Sequence, residues 1–282
     1  MKAHLFFDPA KISNTKLFCA DEPVWTALDK ISGYAKSLFE KDWPLKGFMG
    51  LVTEPLVIFR GELDLDGDIE ISPTGEKGAI VVKIDGVTEP DAAVIMPGAY
   101  LNDDRIIIGP GSVVESGALI KGPCVIGAKT EIRQGAYIRG DVIVGDNCIV
   151  GHATEIKNSI MLDGAKAGHF AYIGDSILGA NVNLGAGTKL ANLKMVSGTV
   201  VLCTPSGERI DTGRRKLGAI LGDATETGCN SVTSPGTILG KECRIYPCVN
   251  VPAGAFPEFT IFTSGEEALS LRNSYIRSKK RA

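Results

Sequence analysis

The fold is decided by residues 108–162, which read IGPGSVVESGALIKGPCVIGAKTEIRQGAYIRGDVIVGDNCIVGHATEIKNSIML. Within this stretch an aliphatic residue recurs at every sixth position without a gap. The series consists of Ile108, Val114, Ile120, Ile126, Ile132, Ile138, Val144, Val150, Ile156 and Leu162. A small or modest side chain stands four residues after each of the first eight, namely Ser112, Ala118, Cys124, Thr130, Ala136, Val142, Cys148 and Thr154.

A period of six residues excludes a helix or a coiled coil, because repeats of 3.6 or 3.5 residues would scatter these aliphatic side chains around the axis. Three short strands per coil, each one hexad long, would instead point every aliphatic side chain inward at the same place in the cross-section. This pattern predicts a mainly β protein, a left-handed parallel β-helix of hexapeptide repeats.

The repeat loses its register near Gly168, recovers at Ile173 and drops one residue to Leu178. Residues 193–216 then interrupt it with two β-branched runs around a turn-like TPSGE, which predicts a hairpin projecting from the coil. After this insertion the hexads resume at Leu221, Thr227, Thr233, Leu239, Ile245 and Val251.

Three regions follow from this pattern. Residues 1–95 are predicted to form a small α+β cap, with a helix within 21–39 and strands in 50–60 and 79–85. Residues 96–256 form the coil with its inserted hairpin. Residues 257–282 are predicted to form a C-terminal helix with a basic tail, since Ser264 and Glu267 make a possible capping box.

Composition narrows the class of protein. The 282 residues are 44% hydrophobic and carry a formal net charge of −3, which excludes a disordered chain and gives no field to hold a nucleic-acid backbone. No apolar run approaches the roughly 18 residues of a membrane span, and the first residues do not resemble a signal peptide. We therefore expect a cytoplasmic protein whose seven cysteines are reduced and mostly buried.

Residues 155–188 read EIKNSIMLDGAKAGHFAYIGDSILGANVNLGAGT. Their KAGH-x-x-Y-x-GD core after an EIK element closely resembles the acetyltransferase half of the bifunctional bacterial enzyme that acetylates glucosamine-1-phosphate and then uridylylates it. The resemblance covers about residues 108–251. The RKLGAILGD stretch after the insertion is more similar to the archaeal-type sugar-1-phosphate nucleotidylyltransferase and acetyltransferase branch.

This resemblance implies an acetyl-CoA-dependent N-acetyltransferase acting on glucosamine-1-phosphate or galactosamine-1-phosphate, in the biosynthesis of sugar nucleotides of the UDP-N-acetylglucosamine type. It makes His169 the general base that takes a proton from the 2-amino group, with Glu155 orienting its imidazole. The positions that match the family's phosphate-holding residues are Arg139, Lys157 and Tyr172.

The resemblance also implies further contacts. Asn183 and Lys216 match other substrate-binding positions. Asn192, Cys229 and the backbone N–H of Ala186 match positions that meet acetyl-CoA, the last as an oxyanion donor. Leu193 stands where the bacterial pattern has tyrosine. Because neither the nucleotidyltransferase domain nor a Gly-rich GxGTR-like loop is found in the sequence, no uridylyltransferase activity is expected.

Two alternatives accompany this hypothesis. The chain could be a non-catalytic binding or regulatory subunit related to sugar nucleotides. It could instead be a zinc protein of the carbonic-anhydrase-like type, since His152 lies 17 residues before His169 and could stack on it; that site needs three histidines, and no metal is expected. Members of this fold place their sites between neighbouring coils, so we also expect a homotrimer in which Arg139, Lys157 and His169 face a partner's 193–216 hairpin or its C-terminal hexads.

Overall fold

The computed structural model describes residues 1–11, 15–39, 42–64, 67–73, 80–204 and 206–264. Most of its strands belong to three sheets, which the chain visits in turn as it winds through successive coils. Within the coil each strand pairs in parallel with the strands one coil before and after it. The parallel β-helix predicted from the hexads is confirmed, and neighbouring coils lie about 4.8 Å apart.

The three sheets contain nine, eleven and eight strands among the described residues. Sheet 1 comprises Gly50–Leu51, Tyr100–Leu101, Leu119–Lys121, Tyr137–Arg139, Glu155–Lys157, Tyr172–Gly174, Lys189–Leu190, Val232–Thr233 and Asn250–Val251. Sheet 2 comprises Glu62–Asp64, Leu56–Phe59, Ala93–Ile95, Val113–Val114, Glu131–Ile132, Ile149–His152, Lys166–His169, Asn183–Leu184, Glu226–Thr227, Arg244–Ile245 and Ile261–Phe262. Sheet 3 comprises Ile106–Ile108, Cys124–Ile126, Val142–Val144, Ser159–Met161, Ile177–Leu178, Ala219–Leu221, Thr237–Leu239 and Gly254–Phe256.

The inward positions of the coil form one continuous hydrophobic core. Nine of the ten predicted aliphatic residues belong to it, from Ile108 to Ile156. Leu162 does not: Met161 is the register partner of Val144 and takes the inward place, while Leu162 packs on the outside of the coil. The shortening of the repeat therefore begins one strand before the predicted break near Gly168.

The coil end nearest the N-terminus is closed by antiparallel strands. Gly50–Leu51 pairs with Tyr100–Leu101, and Leu56–Phe59 pairs with Ala93–Ile95. Leu45, Val52 and Leu56 continue the inner core across this end. A separate antiparallel sheet of Ile69–Pro73, Ile80–Ile84 and Val87–Thr88 packs beside sheet 2. An exposed edge of the first coil, which could pair with another chain, is thereby covered.

Residues 1–11 and 15–39 lie along the side of the coil, on the outer face of sheet 3. They form 3-10 turns at Ala3–Leu5, Pro9–Lys11, Thr15–Leu17 and Val24–Thr26, followed by helix α1 (Ala27–Leu38). The buried face of α1, with Leu28 and Ile31, packs in one cluster with Ile143, Ile160 and Ile177. Sheet 3 is therefore apolar on both faces, as its runs of consecutive aliphatic residues require.

The insertion at 193–216 forms the predicted hairpin, with Val201–Cys203 antiparallel to Arg209–Asp211. The prediction that it projects from the coil is wrong. Val200 and Leu202 are fully buried in the same outer cluster as α1, and Arg214 forms an ion pair with Asp29 of α1. Apolar residues in the first hairpin strand make folding back onto sheet 3 favourable.

The coil continues through Ile261–Phe262, which pairs in parallel with Arg244–Ile245. The predicted C-terminal helix and the capping box of Ser264 and Glu267 extend into residues 265–282, which lie outside the described residues. No helix in the described part of the chain is long and apolar enough to cross a membrane.

The cysteines are free, but the expectation that most are buried is wrong. Cys124, Cys148 and Cys243 are buried in small hexad positions, whereas the other four are exposed. Burial raises the pKa of Cys148 to about 12 and that of Cys243 to about 11. These two thiols therefore stay protonated and act as small core residues.

Two glycines of sheet 2 offer a matched test of coil packing. A Cβ at Gly151 would lie 1.8 Å from the carbonyl oxygen of Gly168 on the next coil, whereas a Cβ at Gly168 would meet no atom within 4 Å. We expect Gly151→Ala to lower the free energy of unfolding by about 3 kcal/mol, since the backbone of a neighbouring coil must move. Gly168→Ala is the control, and thermal unfolding of both variants is the measurement. Equal melting temperatures would contradict this account of coil spacing.

Candidate functional site

One corner of the coil, where sheet 2 turns into sheet 1, brings together residues from four successive coils. The carbonyl oxygens of His152, His169, Ala186 and Cys229 each accept a hydrogen bond of 2.8–2.9 Å from the backbone of the following coil. We call these four residues the corner row. Neighbouring members are separated by one coil spacing of about 4.8 Å. The histidine predicted as a base and two residues predicted to meet acetyl-CoA therefore share one surface.

His169 ends the strand Lys166–His169 and its side chain is exposed. The next residue, Phe170, has a φ of 52° and turns the chain into sheet 1, with 59% of its own side chain exposed. Within the described part of the chain, neither ring nitrogen of His169 is hydrogen-bonded. An exposed imidazole without a hydrogen-bond partner is free to contact a ligand and accept a proton from it.

The predicted stacking of the two histidines is present. His152 is the register partner of His169, and their ring centroids lie 5.6 Å apart with an angle of 23° between the planes. The third histidine, His4, lies in the 3-10 turn Ala3–Leu5. Over the described ranges, no group of three or more histidine, cysteine, aspartate or glutamate side chains is arranged to hold a metal ion.

Ala186 follows His169 in the corner row. Its carbonyl accepts the N–H of Asn230, while its own N–H donates to no acceptor among the described residues. A free backbone N–H at the surface, one coil from an exposed imidazole, provides a donor for a developing negative charge. The corner thus contains both a group that can accept a proton and an N–H group that can donate a hydrogen bond to an anion.

The outer face of sheet 1 beside this corner carries paired charges. Arg139 donates to Glu155 at 2.6 Å across neighbouring strands, and this hydrogen bond raises the pKa of Arg139. The predicted contact between Glu155 and His169 is absent from the hydrogen bonds of the described residues. Glu155 is the register partner of Tyr137 and Tyr172, so its side chain lies on the flat face of sheet 1, where Arg139 reaches it.

Asp175 organises a second cluster on the same face. Its buried carboxylate accepts hydrogen bonds from Lys157 (2.8 Å), Asn158 (2.8 Å) and Asn192 (2.5 Å). Burial acts to raise the pKa of Asp175, but these three donors together outweigh it and hold that pKa below its usual range. Tyr172 completes the cluster by donating to the side-chain oxygen of Asn192 at 3.4 Å. Lys157 and Tyr172 are thereby fixed in place.

Three other predicted residues, Asn183, Lys216 and Cys229, lie apart from this face, whereas Asn192 belongs to the Asp175 cluster. Asn183 is exposed on sheet 2, between its register partners Lys166 and Glu226. Lys216 is exposed at the base of the hairpin, bridged to Leu193. Cys229 is exposed in the corner row. Asn192 is only 9% exposed and its amide donates to Asp175, so Asn192 supports the cluster.

The sequence hypothesis assigned no role to Asp175 or Asn158, although both belong to or adjoin the recognised motif. Asp175 is the final residue of the KAGH-x-x-Y-x-GD core. The Asp175 side chain is only 5% exposed, and its hydrogen-bond donors become apparent only when neighbouring coils are placed in register. The sequence signal that could have identified Asp175 is its spacing of 18 residues from Lys157 and 17 residues from Asn158, about one coil.

Parts of this chain are similar to known proteins. Residues 120–256 match the family model of the GMPPB C-terminal domain. A bifunctional sugar-1-phosphate nucleotidylyltransferase/acetyltransferase of Sulfurisphaera tokodaii is 39% identical over 261 residues, covering 85% of this chain and 58% of that protein. The bifunctional protein GlmU of Methanocaldococcus jannaschii is 37% identical over 110 residues, covering 39% of this chain and 26% of that protein. The chain thus spans between a quarter and three fifths of the length of these relatives.

Among solved structures, the UDP-N-acetylglucosamine acyltransferase of Francisella novicida aligns with a TM-score of 0.46 and 16% identity, covering 64% of this chain and 67% of that one. PerB from Caulobacter crescentus, solved with CoA and GDP-perosamine, aligns with a TM-score of 0.26 and 18% identity, covering 55% and 53%.

Proposed function

We propose that this chain, which is similar to a bifunctional sugar-1-phosphate nucleotidylyltransferase/acetyltransferase, transfers an acetyl group from acetyl-CoA to the amino group of an amino-sugar-1-phosphate. The observation that supports this most directly is the corner row. It combines the exposed imidazole of His169 with the free N–H of Ala186 one coil away, beside a face of sheet 1 that carries Arg139 and Lys157.

The proposed reaction needs one proton acceptor and one oxyanion donor. His169 takes a proton from the sugar amine as its nitrogen attacks the thioester carbonyl carbon of acetyl-CoA. The new C–N bond turns the carbonyl oxygen into an oxyanion, which the N–H of Ala186 stabilises. The C–S bond then breaks, the acetyl group remains on the sugar nitrogen, and coenzyme A leaves with its thiol reprotonated by the His169 imidazolium.

Glu155 has a different role in this proposal from the one implied by the resemblance. Because it accepts a hydrogen bond from Arg139 at 2.6 Å, it sets the guanidinium on the outer face of sheet 1. The stacked ring of His152 lies against His169 instead and limits its orientation. A planar guanidinium that still has free N–H groups can bind phosphate in addition to Glu155.

Arg139 and Lys157 are expected to bind the phosphate group. Replacing either residue with alanine should raise the KM for the phosphorylated amino sugar by about 10-fold or more, because each change removes a charge-assisted contact. The kcat should change much less. Steady-state kinetics with the phosphate-free amino sugar alongside the 1-phosphate is the measurement.

Arg133→Ala is the matched control for Arg139→Ala. Arg133 also pairs with a glutamate, Glu131, at 2.6 Å, but at the end of a sheet 2 strand and not on the face of sheet 1. Its loss should leave the KM unchanged. If Arg133→Ala and Arg139→Ala had equal effects, the phosphate assignment would be contradicted.

The function itself is tested by the release of thiol from acetyl-CoA in the presence of amino sugars and their 1-phosphates. Release that depends on a 1-phosphate supports the proposal. If no amino sugar promotes release while sugar nucleotides still bind, the chain is the non-catalytic subunit of the alternative hypothesis.

We also propose that the protein assembles as a homotrimer. Apolar side chains remain uncovered in the single chain. Phe170, next to His169, is 59% exposed, and in the insertion Val196 is 67% exposed and Met195 fully exposed. Exposed apolar surface that a partner could cover marks an interaction site. Light scattering at micromolar concentration should give three times the 29.8 kDa chain mass. A monomer under those conditions would exclude a site completed by a partner's hairpin.

A further inference from the structure

Three cationic side chains stand in a row on the outer face of sheet 1. Lys121 and Arg139 are register partners on neighbouring strands. Arg139 follows Ile138, whose partner on the next strand is Ile156, so Lys157 takes the corresponding place there. We call Lys121, Arg139 and Lys157 the cation row. Its members are spaced by about 4.8 Å along the coil axis, measured at the backbone.

The cation row is only partly neutralised by this chain. Glu155 pairs with Arg139 and Asp175 pairs with Lys157. Lys121 has no carboxylate partner among the residues that the structure describes. Its ammonium lies 5.4 Å from the centre of the Tyr137 ring, and the Arg139 guanidinium lies 5.9 Å from the same ring. Lys121 and Arg139 are like charges opposite one another on neighbouring strands, and Glu155 is paired with only one of them, so an anion between the two would be stabilised.

The row has defined ends. The strand after Lys157 presents Gly174 at this position, where even a Cβ would lie 2.7 Å from the Tyr172 hydroxyl and from the Asn192 amide. On the other side, Asn102 follows Leu101, the partner of Ile120. A phosphate bound between Lys157 and Arg139 therefore leaves Lys121 on the far side of Arg139. A second phosphate joined to the first would meet Lys121 there.

We propose that the preferred acceptor carries a diphosphate on its anomeric carbon, so that it is a diphosphate-linked amino sugar. This inference rests on the proposed function and names its substrate class. The first phosphate lies between Lys157 and Arg139, and the second lies between Arg139 and Lys121. The amino group then extends toward the corner row. The group beyond the second phosphate is a nucleoside or a prenyl chain.

Acetyl transfer provides the first test. Glucosamine-1-phosphate, uridine-diphosphate-linked glucosamine and short-chain prenyl-diphosphate-linked glucosamine are compared as acceptors. Wild-type enzyme should give a kcat/KM at least about 10-fold higher for a diphosphate acceptor than for the 1-phosphate, as one added charge-assisted contact provides. A preference for one of the two diphosphate acceptors would show whether the group beyond the second phosphate is a nucleoside or a prenyl chain. If the kcat/KM for glucosamine-1-phosphate were equal to or higher than that for both diphosphate acceptors, the inference would be overturned.

The Lys121→Gln variant tests whether the second phosphate binds at Lys121. It should raise the KM for the diphosphate acceptor about 10-fold and change that for glucosamine-1-phosphate less than twofold. Lys129→Gln is the matched control, since Lys129 is an exposed lysine of the same coil at a different corner. If Lys121→Gln affected both acceptors equally, or neither, the second phosphate would not lie at Lys121.

A binding measurement separates failure of this inference from failure of the proposed function. Calorimetry with UDP and with inorganic phosphate needs no acetyl transfer. Tighter binding of UDP, weakened by Lys121→Gln and not by Lys129→Gln, supports the diphosphate site even if no acceptor is acetylated. Equal binding of UDP to wild type and Lys121→Gln overturns it, even if glucosamine-1-phosphate is a good acceptor.

Discussion

His169→Ala is expected to lower the rate of acetyl transfer by about 10²- to 10⁴-fold, the contribution of a positioned general base. Binding of acetyl-CoA should be nearly unchanged, because the side chain acts on the amine of the acceptor. The imidazole is exposed and unpaired among the described residues, so its removal leaves no buried group unsatisfied. Single-turnover rates and calorimetric binding of acetyl-CoA are the measurements.

His152→Ala is the control for this variant. The two rings stack at 5.6 Å, so loss of His152 removes a neighbour of the base without removing the base itself. Its effect on the rate should be small. Equal losses of activity from both variants, together with release of a metal detected by elemental analysis, would favour the zinc hypothesis instead. A fully active His169→Ala enzyme would contradict the proposed mechanism.

Asp175→Ala is expected to lower the free energy of unfolding by about 3 kcal/mol, because it leaves the largely buried Lys157 without its counter-ion. The variant should also raise the KM for the acceptor, since Lys157 and Asn192 lose the carboxylate that holds them. Chemical denaturation and steady-state kinetics measure the two effects.

Asp141→Ala provides a matched control for the backbone. Asp141 and Asp175 both have a positive φ, 51° and 47°, so alanine has the same conformational cost at either position. Asp141 makes no side-chain hydrogen bond within the described residues. The difference between the two variants therefore isolates the buried cluster, and equal destabilisation would show that the cluster contributes little.

The same cluster predicts how stability depends on pH. The folded-state pKa of Asp175 lies below its usual range, so its contribution is complete above the unfolded-state pKa of about 3.9. That contribution is lost as pH falls through the folded-state pKa. The stability difference between wild type and Asp175→Ala should be largest near neutral pH and shrink below about pH 4. A difference independent of pH would mean that the carboxylate charge is not what stabilises the cluster.

The hexad series predicted the coil and nearly all of its inner core, because an inward side chain at every sixth residue is a local property of the repeat. Counting by six failed at Leu162, where the preceding loop is one residue shorter and the register partner Val144 selects Met161. The outer cover of sheet 3 left no such signal. Its runs of adjacent aliphatic residues, such as 142–144, predict burial on both faces but do not identify residues 1–11 and 15–39 as the cover.

The site shows the same limit. Distance along the chain fixes the positions of the motif residues: Lys157 and Tyr172 lie on paired strands of sheet 1, and His169 ends the sheet 2 strand that precedes Tyr172. The hydrogen-bond partner of Glu155 was not predicted, because it depends on which side chain projects from the previous coil. In the structure that side chain is Arg139. Contacts between coils join residues 16 to 18 positions apart, which a local motif does not describe.

The cover of sheet 3 also sets an order of assembly during synthesis. The N–H of Asp8 donates to Asp223 at 2.7 Å, and Phe6 and Trp25 pack in a cluster that includes Ile220 and Ile238. This segment thus docks on coils that follow it by about 200 residues in the chain. Until the ribosome has passed those coils, part of the surface that buries its aromatic side chains is missing, while each coil can already stack on the one before it. During that interval the growing chain carries an incompletely covered apolar sheet together with an incompletely docked apolar segment.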